Sequence, residues 1–230
     1  SDHVSLLGDV GTNPLAQFAP SGLFSNSLGF VGTQGNAGNI VVTTPHLNMV
    51  GGRINTVTQT SGSGGNVTLN VTGSISISGE FPSAASIVPS IFDVGPLAPS
   101  GIVTSTIGGA CLGVCGNAGN ISVTTGSLSI HNGGRINSGT ASTGLGGNIT
   151  ITASNGISLS GTLSDGTPAG IFSQSIGIDP GSGRSGTIEL HASQFQVTNG
   201  AQISASTLGP GNAGNVILQG PASPAQSVLI

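Results

Sequence analysis

Two carboxyl groups facing each other across a bond are the usual machinery for cleaving a polysaccharide, so the acidic residues are weighed first. The chain has seven: Asp2, Asp9, Glu80, Asp93, Asp165, Asp179 and Glu189. No two of them fall on one strand face in adjoining repeats, so hydrolysis is not supported and no catalytic residue is assigned. His3, His46, His131 and His191 fall at different phases of the repeat, which argues against their meeting at a metal. Gly181-Ser182-Gly183-Arg184-Ser185-Gly186 has the spacing of a dinucleotide loop, but no helix-forming segment follows it, so it reads as a turn. Neither a cofactor nor a metal is expected, and the chain is not read as an enzyme.

The remaining reactive groups are few. Cys111 and Cys115 are either a short-loop disulfide formed in an oxidising compartment or a pair of free thiols. Arg53 and Arg135 both occupy the third position of Gly-Gly-Arg-Ile-Asn. They read as solvated outward side chains, with a shared anionic contact as the sharper alternative. The sequons at Asn66, Asn70, Asn120 and Asn148 read as by-products of the repeat.

What must position these groups is an all-β chain. Gly contributes 41 residues, only 4% of the chain is charged, and there is no Tyr or Trp. The long helix formers are scarce while Val, Ile, Thr, Ser and Asn abound, so helix is disfavoured and strands with many turns are expected. Low charge with positive mean hydropathy opposes disorder. A net charge of −4 with three arginines and no lysine opposes binding to nucleic acid. No apolar run is long enough to span a bilayer, and no signal peptide opens the sequence.

Internal repetition gives the architecture. Gly35-Asn36-Ala37-Gly38-Asn39-Ile40 returns at Gly116 to Ile121 and, with Val216 last, at Gly211 to Val216. Shorter echoes at Asn66, Asn148 and Thr187 give successive spacings of 27, 54, 28, 39 and 28 residues from Asn39 to Asn215. Each unit offers three short strands with apolar residues at every second position, such as Ile121 and Val123, then Leu128 and Ile130, then Ile136. In the third strand, Ile54, Ile136 and Ile203 are aligned with Phe24, Val103 and Phe172 of the alternate units.

Such a triplet cannot bury its apolar face alone, whereas stacking equivalent strands about 4.8 Å apart closes a continuous core. The expected fold is therefore a right-handed parallel β-helix, a three-faced β-solenoid. Its coils hold 27–28 residues, with insertions in alternate coils at 80–98 and 161–167. A β-sandwich or meander barrel is the alternative. The solenoid is assigned to 20–218, with an incomplete insertion at 1–19 and a C-terminal extension at 219–230. Gly-Asn is expected to make the corner through positive φ, and Asn39, Asn66, Asn120, Asn148 and Asn215 are expected to stack as an Asn ladder.

The phrases GNAGNISVTTGSLSIHNGGRINS and SGTIELHASQFQVTNGAQISASTLGPGNAGNV resemble the repeat regions of filamentous-haemagglutinin-like exoproteins, especially the large cyanobacterial ones. That resemblance implies two-partner secretion and display at the cell surface or outside the cell. The function expected is a structural element of a surface fibre or adhesin; the alternative is a filament subunit stacking end to end through open β-edges. A polysaccharide-binding or polysaccharide-cleaving β-helix is the third reading. Partners would be further copies of the chain, or a host or cell-surface glycan or protein, with no nucleic acid and no membrane span.

Overall fold

The computed structural model describes residues 3–7, 21–28, 34–82, 97–107, 115–178, 180–220, 225 and 227–230. Among them every regular element is a strand and none is a helix. The strands are β1 (Val4–Leu7), β2 (Gly22–Phe24), β3 (Ile40–Val50), β4 (Arg53–Thr58), β5 (Val67–Ser78), β6 (Glu80–Pro82), β7 (Leu97–Pro99), β8 (Gly101–Thr106) and β9 (Ile121–His131). They continue with β10 (Arg135–Thr140), β11 (Ile149–Ser160), β12 (Gly170–Ser175), β13 (Ile188–Ala192), β14 (Gln194–Thr198), β15 (Gln202–Thr207), β16 (Val216–Gln219) and β17 (Ser227–Leu229).

Apart from β6 and β7, each strand pairs with its counterpart in an adjoining repeat, and all of these pairings are parallel. One sheet runs β1-β3-β5-β9-β11-β13-β16, with β14 on β11 and β17 on β14. A second runs β2-β4-β8-β10-β12-β15. Parallel β-rich sheets in repeat order are compatible with a solenoid. β1 and β17 join β3 and β14, so paired strands extend on both sides of the 20–218 span expected from the sequence.

The alternation of apolar and polar residues sets this register, because a one-residue slip would turn every Ile and Val of a strand to water. Ile40, Val67, Ile121, Ile149, Ile188 and Val216 lie in one row of Cα partners. Leu47, Ile75, Leu128, Ile157 and Phe195 lie in another. With Ile54, Ile102, Ile136 and Ile171 of the second sheet the buried members of these rows form one continuous apolar core, against which half-buried Ile40 packs, while Val216 is exposed. Full burial of each such side chain contributes about 1.5–3 kcal/mol.

Two features differ from the sequence reading. The first two strands of a unit are fused in β3, β5, β9 and β11, which bend at register shifts beside Thr44, Val71 and Ala153 instead of breaking at a turn. The bend keeps its backbone polar groups engaged: Thr44 and Thr125 donate their hydroxyls to the carbonyls of His46 and Ser127. The 54-residue step from β5 to β9 is a single lateral step in the sheet, in keeping with the sequence reading of one unit lengthened by an insertion. The insertions leave between the second and third strands, where β6 pairs antiparallel with β7, and Thr162 bridges Pro168 in the same way. Ser164 lies 3.4 Å from Glu80, so the bases of the two insertions touch.

Second, the register of the third strand is one residue away from the alignment given above. Ile54 and Ile136 pair with Ile102, Ile54 with Leu23, and Ile171 with Ile203; Phe24, Val103 and Phe172 are opposite Asn55 and Asn137. Both members of Leu23-Phe24, Ile102-Val103 and Ile171-Phe172 are apolar, so hydropathy alone does not fix which faces inward. β4, β8 and β10 are buried on both faces, which removes the polar alternation that would have marked the phase.

The close stacking of layers dictates glycine at the start of the first strand. A Cβ added to Gly65, Gly119, Gly147, Gly186 or Gly214 would collide with the carbonyl oxygen of the glycine in the layer beneath. Gly119→Ala is therefore expected to lower unfolding free energy by about 3 kcal/mol or more, at the top of the overpacking range because a backbone carbonyl cannot swing aside. Denaturant titration measures it; a loss under about 0.5 kcal/mol, the ordinary surface value, would contradict the packing described.

Candidate functional site in the stacked turns

The Gly-Asn turns precede β3, β5, β9, β11 and β16, with Gly186-Thr187 in the same place before β13, and the parallel register brings them into a column. Within it each step from Asn39 to Thr187 is closed in both directions. Going forward, Ile40 N donates to Asn66 O, Val67 N to Asn120 O, and Ile121 N to Asn148 O, each at 2.9 Å. Going back, the backbone N–H of Asn66, Asn120 and Asn148 donates at 2.8 Å to the side-chain Oδ1 of Asn39, Asn66 and Asn120 respectively. Thr187 N donates to Asn148 Oδ1 at 2.9 Å, and Asn215 joins the column through its carbonyl, which accepts from Ile188 N.

A second column lies three residues earlier and was missed in the sequence. Ser63 N donates to Asn36 Oδ1 at 2.8 Å and Leu145 N to Asn117 Oδ1 at 2.9 Å. Backbone bonds continue it: Gly64 N donates to Asn117 O, Gly146 N to Arg184 O and Ser185 N to Asn212 O. The first Asn of Gly-Asn-Ala-Gly-Asn was the available signal. Behind both columns, hydroxyls of the second sheet reach the turn carbonyls. Thr56 bonds Gly65 O, Thr104 and Ser138 bond Gly119 O, and Ser173 bonds Gly147 O.

The expected positive-φ Gly-Asn corner is not found. None of these Gly or Asn residues has positive φ; left-handed backbone falls at the corner before the third strand, at Gly51, Gly79, Asn132, Gly133, Gly161, Asn199 and Gly200. The Gly-Asn turn needs glycine for vertical clearance and asparagine for its acceptor, whereas the other corner needs residues that tolerate φ > 0.

Arg53 and Arg135 are not solvated. Arg53 is 0% exposed and Arg135 8%. Arg53 Nη2 donates to Pro99 O at 3.2 Å with its guanidinium 5.0 Å from the Phe81 ring centre. Arg135 Nε donates to Pro168 O at 3.0 Å, 4.6 Å from the Phe172 ring centre. Each arginine thus clamps the proline carbonyl at the end of the insertion in the next layer. Pro99 and Pro168 close the two insertions at equivalent places, which explains why Gly-Gly-Arg-Ile-Asn recurs in the layer preceding each. Beside them Asn55 and Asn137, 0% and 1% exposed, have no partner for either side-chain amide atom.

The other candidate residues are dispersed. His3 precedes Val4, the partner of Leu47, and so shares the phase of His46, contrary to the sequence reading. His46 Nδ1 is 3.0 Å from Ser74 Oγ, and His191 pairs with Glu189 at 3.1 Å. Among the described residues no three His, Cys, Asp or Glu side chains come together. Asp165 is exposed, and hydrogen bonds from Thr167, one of them from its backbone N at 2.8 Å, hold its carboxyl below the ordinary range. Asp2, Asp9, Asp93 and Asp179 lie outside the described residues. The turn carrying Arg184 leads into strand β13, not a helix. Cys115 is disulfide-bonded and its N–H donates to Thr143 Oγ1; Cys111 lies outside the described residues.

No family model, curated protein or solved structure matches the chain.

Two substitutions separate the clamp from its neighbours in a denaturant-unfolding measurement. Arg135→Leu removes a charge-assisted hydrogen bond and a desolvated cation–π contact, for an expected loss of about 2–4 kcal/mol. Asn137→Val replaces an unpartnered buried amide beside Val103 and is expected to raise stability by about 1 kcal/mol. A neutral Arg135→Leu, or an Asn137→Val that destabilises, would contradict this description.

Proposed function

We propose that the chain is a right-handed, three-faced parallel β-helix with coils of 27–28 residues and insertions in alternate coils. Its role is that of a structural element in a bacterial cell-surface or extracellular fibre or adhesin, of the filamentous-haemagglutinin-like kind that its repeat phrases resemble. The observation that carries this reading is the unbroken parallel register, in which the layers from Asn39 to Thr187 meet through the same Asn-capped turn. A stack of that kind extends by repetition without changing its cross-section, which suits a stalk. The disulfide at Cys115 fits an oxidising compartment.

A second reading, the self-assembling filament, is favoured by apolar side chains on the outermost strands. Val216 is 43% exposed, Val228 50% and Leu229 56% in β16 and β17, and Leu7 is 57% exposed in β1. They would be covered either by further layers of one long chain or by another copy.

Immunogold labelling of producing cells and electron microscopy of the purified chain test both readings. Label on the cell surface together with discrete particles is the result expected for a stalk element. Label confined to the cell interior would overturn the surface assignment, and indefinite fibres from the purified chain would replace the stalk with the self-assembling subunit.

A further inference from the structure

The Asn columns leave a chemically one-sided surface. Because Asn39, Asn66, Asn120 and Asn148 each accept a backbone N–H, the ladder atom must be the side-chain oxygen, which settles the orientation of every amide. The other edge of each exposed amide is then Nδ2, a donor, and among the described residues no hydrogen bond engages it. Asn117, oriented in the same way by Leu145 N, adds a donor from the second column.

Arg184 takes the place of asparagine in that second column, as the bond from Gly146 N to its carbonyl shows, and its side chain is exposed. Asn117, Asn120, Asn148, Arg184, Thr187 and Asn215 border a groove of about 350 Å³ that crosses four layers. No carboxylate is among its described lining residues. The groove therefore offers fixed N–H donors from Asn117, Asn120 and Asn148 in two adjoining layers and the Arg184 guanidinium in the next, layers about 4.8 Å apart.

We infer that this groove binds an acidic polysaccharide lying along the turn column. Carboxylate or sulfate groups are acceptors only, so they match a surface of donors, and the guanidinium supplies charge-assisted bonds. An extended polymer presents an acceptor at each sugar, which suits donors spread over three successive layers; a single small anion would meet only one layer. A polynucleotide is the poorer match, because its phosphates call for clustered cations and the groove has one. The inference rests on the surface-display reading for its setting, but the groove is tested on the purified chain.

Binding of the full chain to polygalacturonate, dextran sulfate, neutral dextran and single-stranded polynucleotide is compared by calorimetry at physiological salt, together with Arg184→Gln and Asn148→Asp. Asn148→Asp keeps an oxygen to accept Thr187 N–H while turning the exposed donor into a carboxylate oxygen. Arg184→Gln leaves intact the backbone carbonyl that Gly146 uses. Both variants are therefore expected to melt close to the parent. Binding to polygalacturonate or dextran sulfate, with whichever polymer binds more tightly marking carboxylate or sulfate as the preferred group, supports the inference. So does a weakening by about tenfold or more in both variants, the scale of a lost charge-assisted bond. It is overturned if neither acidic polymer binds, if neutral dextran or polynucleotide binds as well, or if the folded variants bind like the parent. Loss of binding with surface label intact would leave the fibre reading standing.

Discussion

A parallel strand cannot satisfy its own backbone: its N–H and C=O groups reach sideways to different strands, and here those strands are supplied by the preceding and following repeats. Every other feature has to respect that vertical spacing. The Gly column follows from it, because a side chain at Gly65 or Gly119 would occupy the space of the carbonyl beneath. So does the Asn ladder, because a turn amide pointing along the stack needs an acceptor one layer away and an asparagine oxygen has the reach. The buried hydroxyls of Thr56, Thr104 and Ser138 serve the same end from inside, bonding turn carbonyls that the apolar core would otherwise leave bare.

The second sheet carries a different burden. Its strands β4, β8 and β10 are buried on both faces, so the outward side cannot be a solvated polar surface. Arg53 and Arg135 resolve this by lying over aromatic rings and donating to the proline carbonyls that end the insertions. The arginines couple each plain layer to the decorated one that follows, and so tie the insertions to the body of the stack. Asn55 and Asn137 stand in the same outward row without such partners, which marks it as a place where packing, not polar satisfaction, holds the structure together.

The parts of the fold legible in the sequence are those where water lies on one side. Ile121-Ser122-Val123-Thr124 and Ile149-Thr150-Ile151-Thr152 alternate cleanly because their outward residues are solvated, and their phase is read directly. In Ile102-Val103 and Ile171-Phe172 both residues are buried, so periodicity is silent and the assigned register slipped by one. The buried arginines were hidden for a related reason: a charge reads as solvated unless its partners are known, and Phe81, Pro99 and Pro168 lie 28 to 46 residues along the chain. The recurrence of Asn at the turn was visible, but not the reason for its glycine, since both positive φ and vertical clearance select that residue.

The most direct measurement of the parallel stack is scalar coupling across its hydrogen bonds, detected by nuclear magnetic resonance on isotope-labelled protein. The account predicts correlations from the amide nitrogen of Val67 to the carbonyl carbon of Asn120, from Ile121 to Asn148, and from Ile149 to Thr187. Reciprocal couplings between residue pairs running in opposite directions, the signature of antiparallel neighbours, would contradict it.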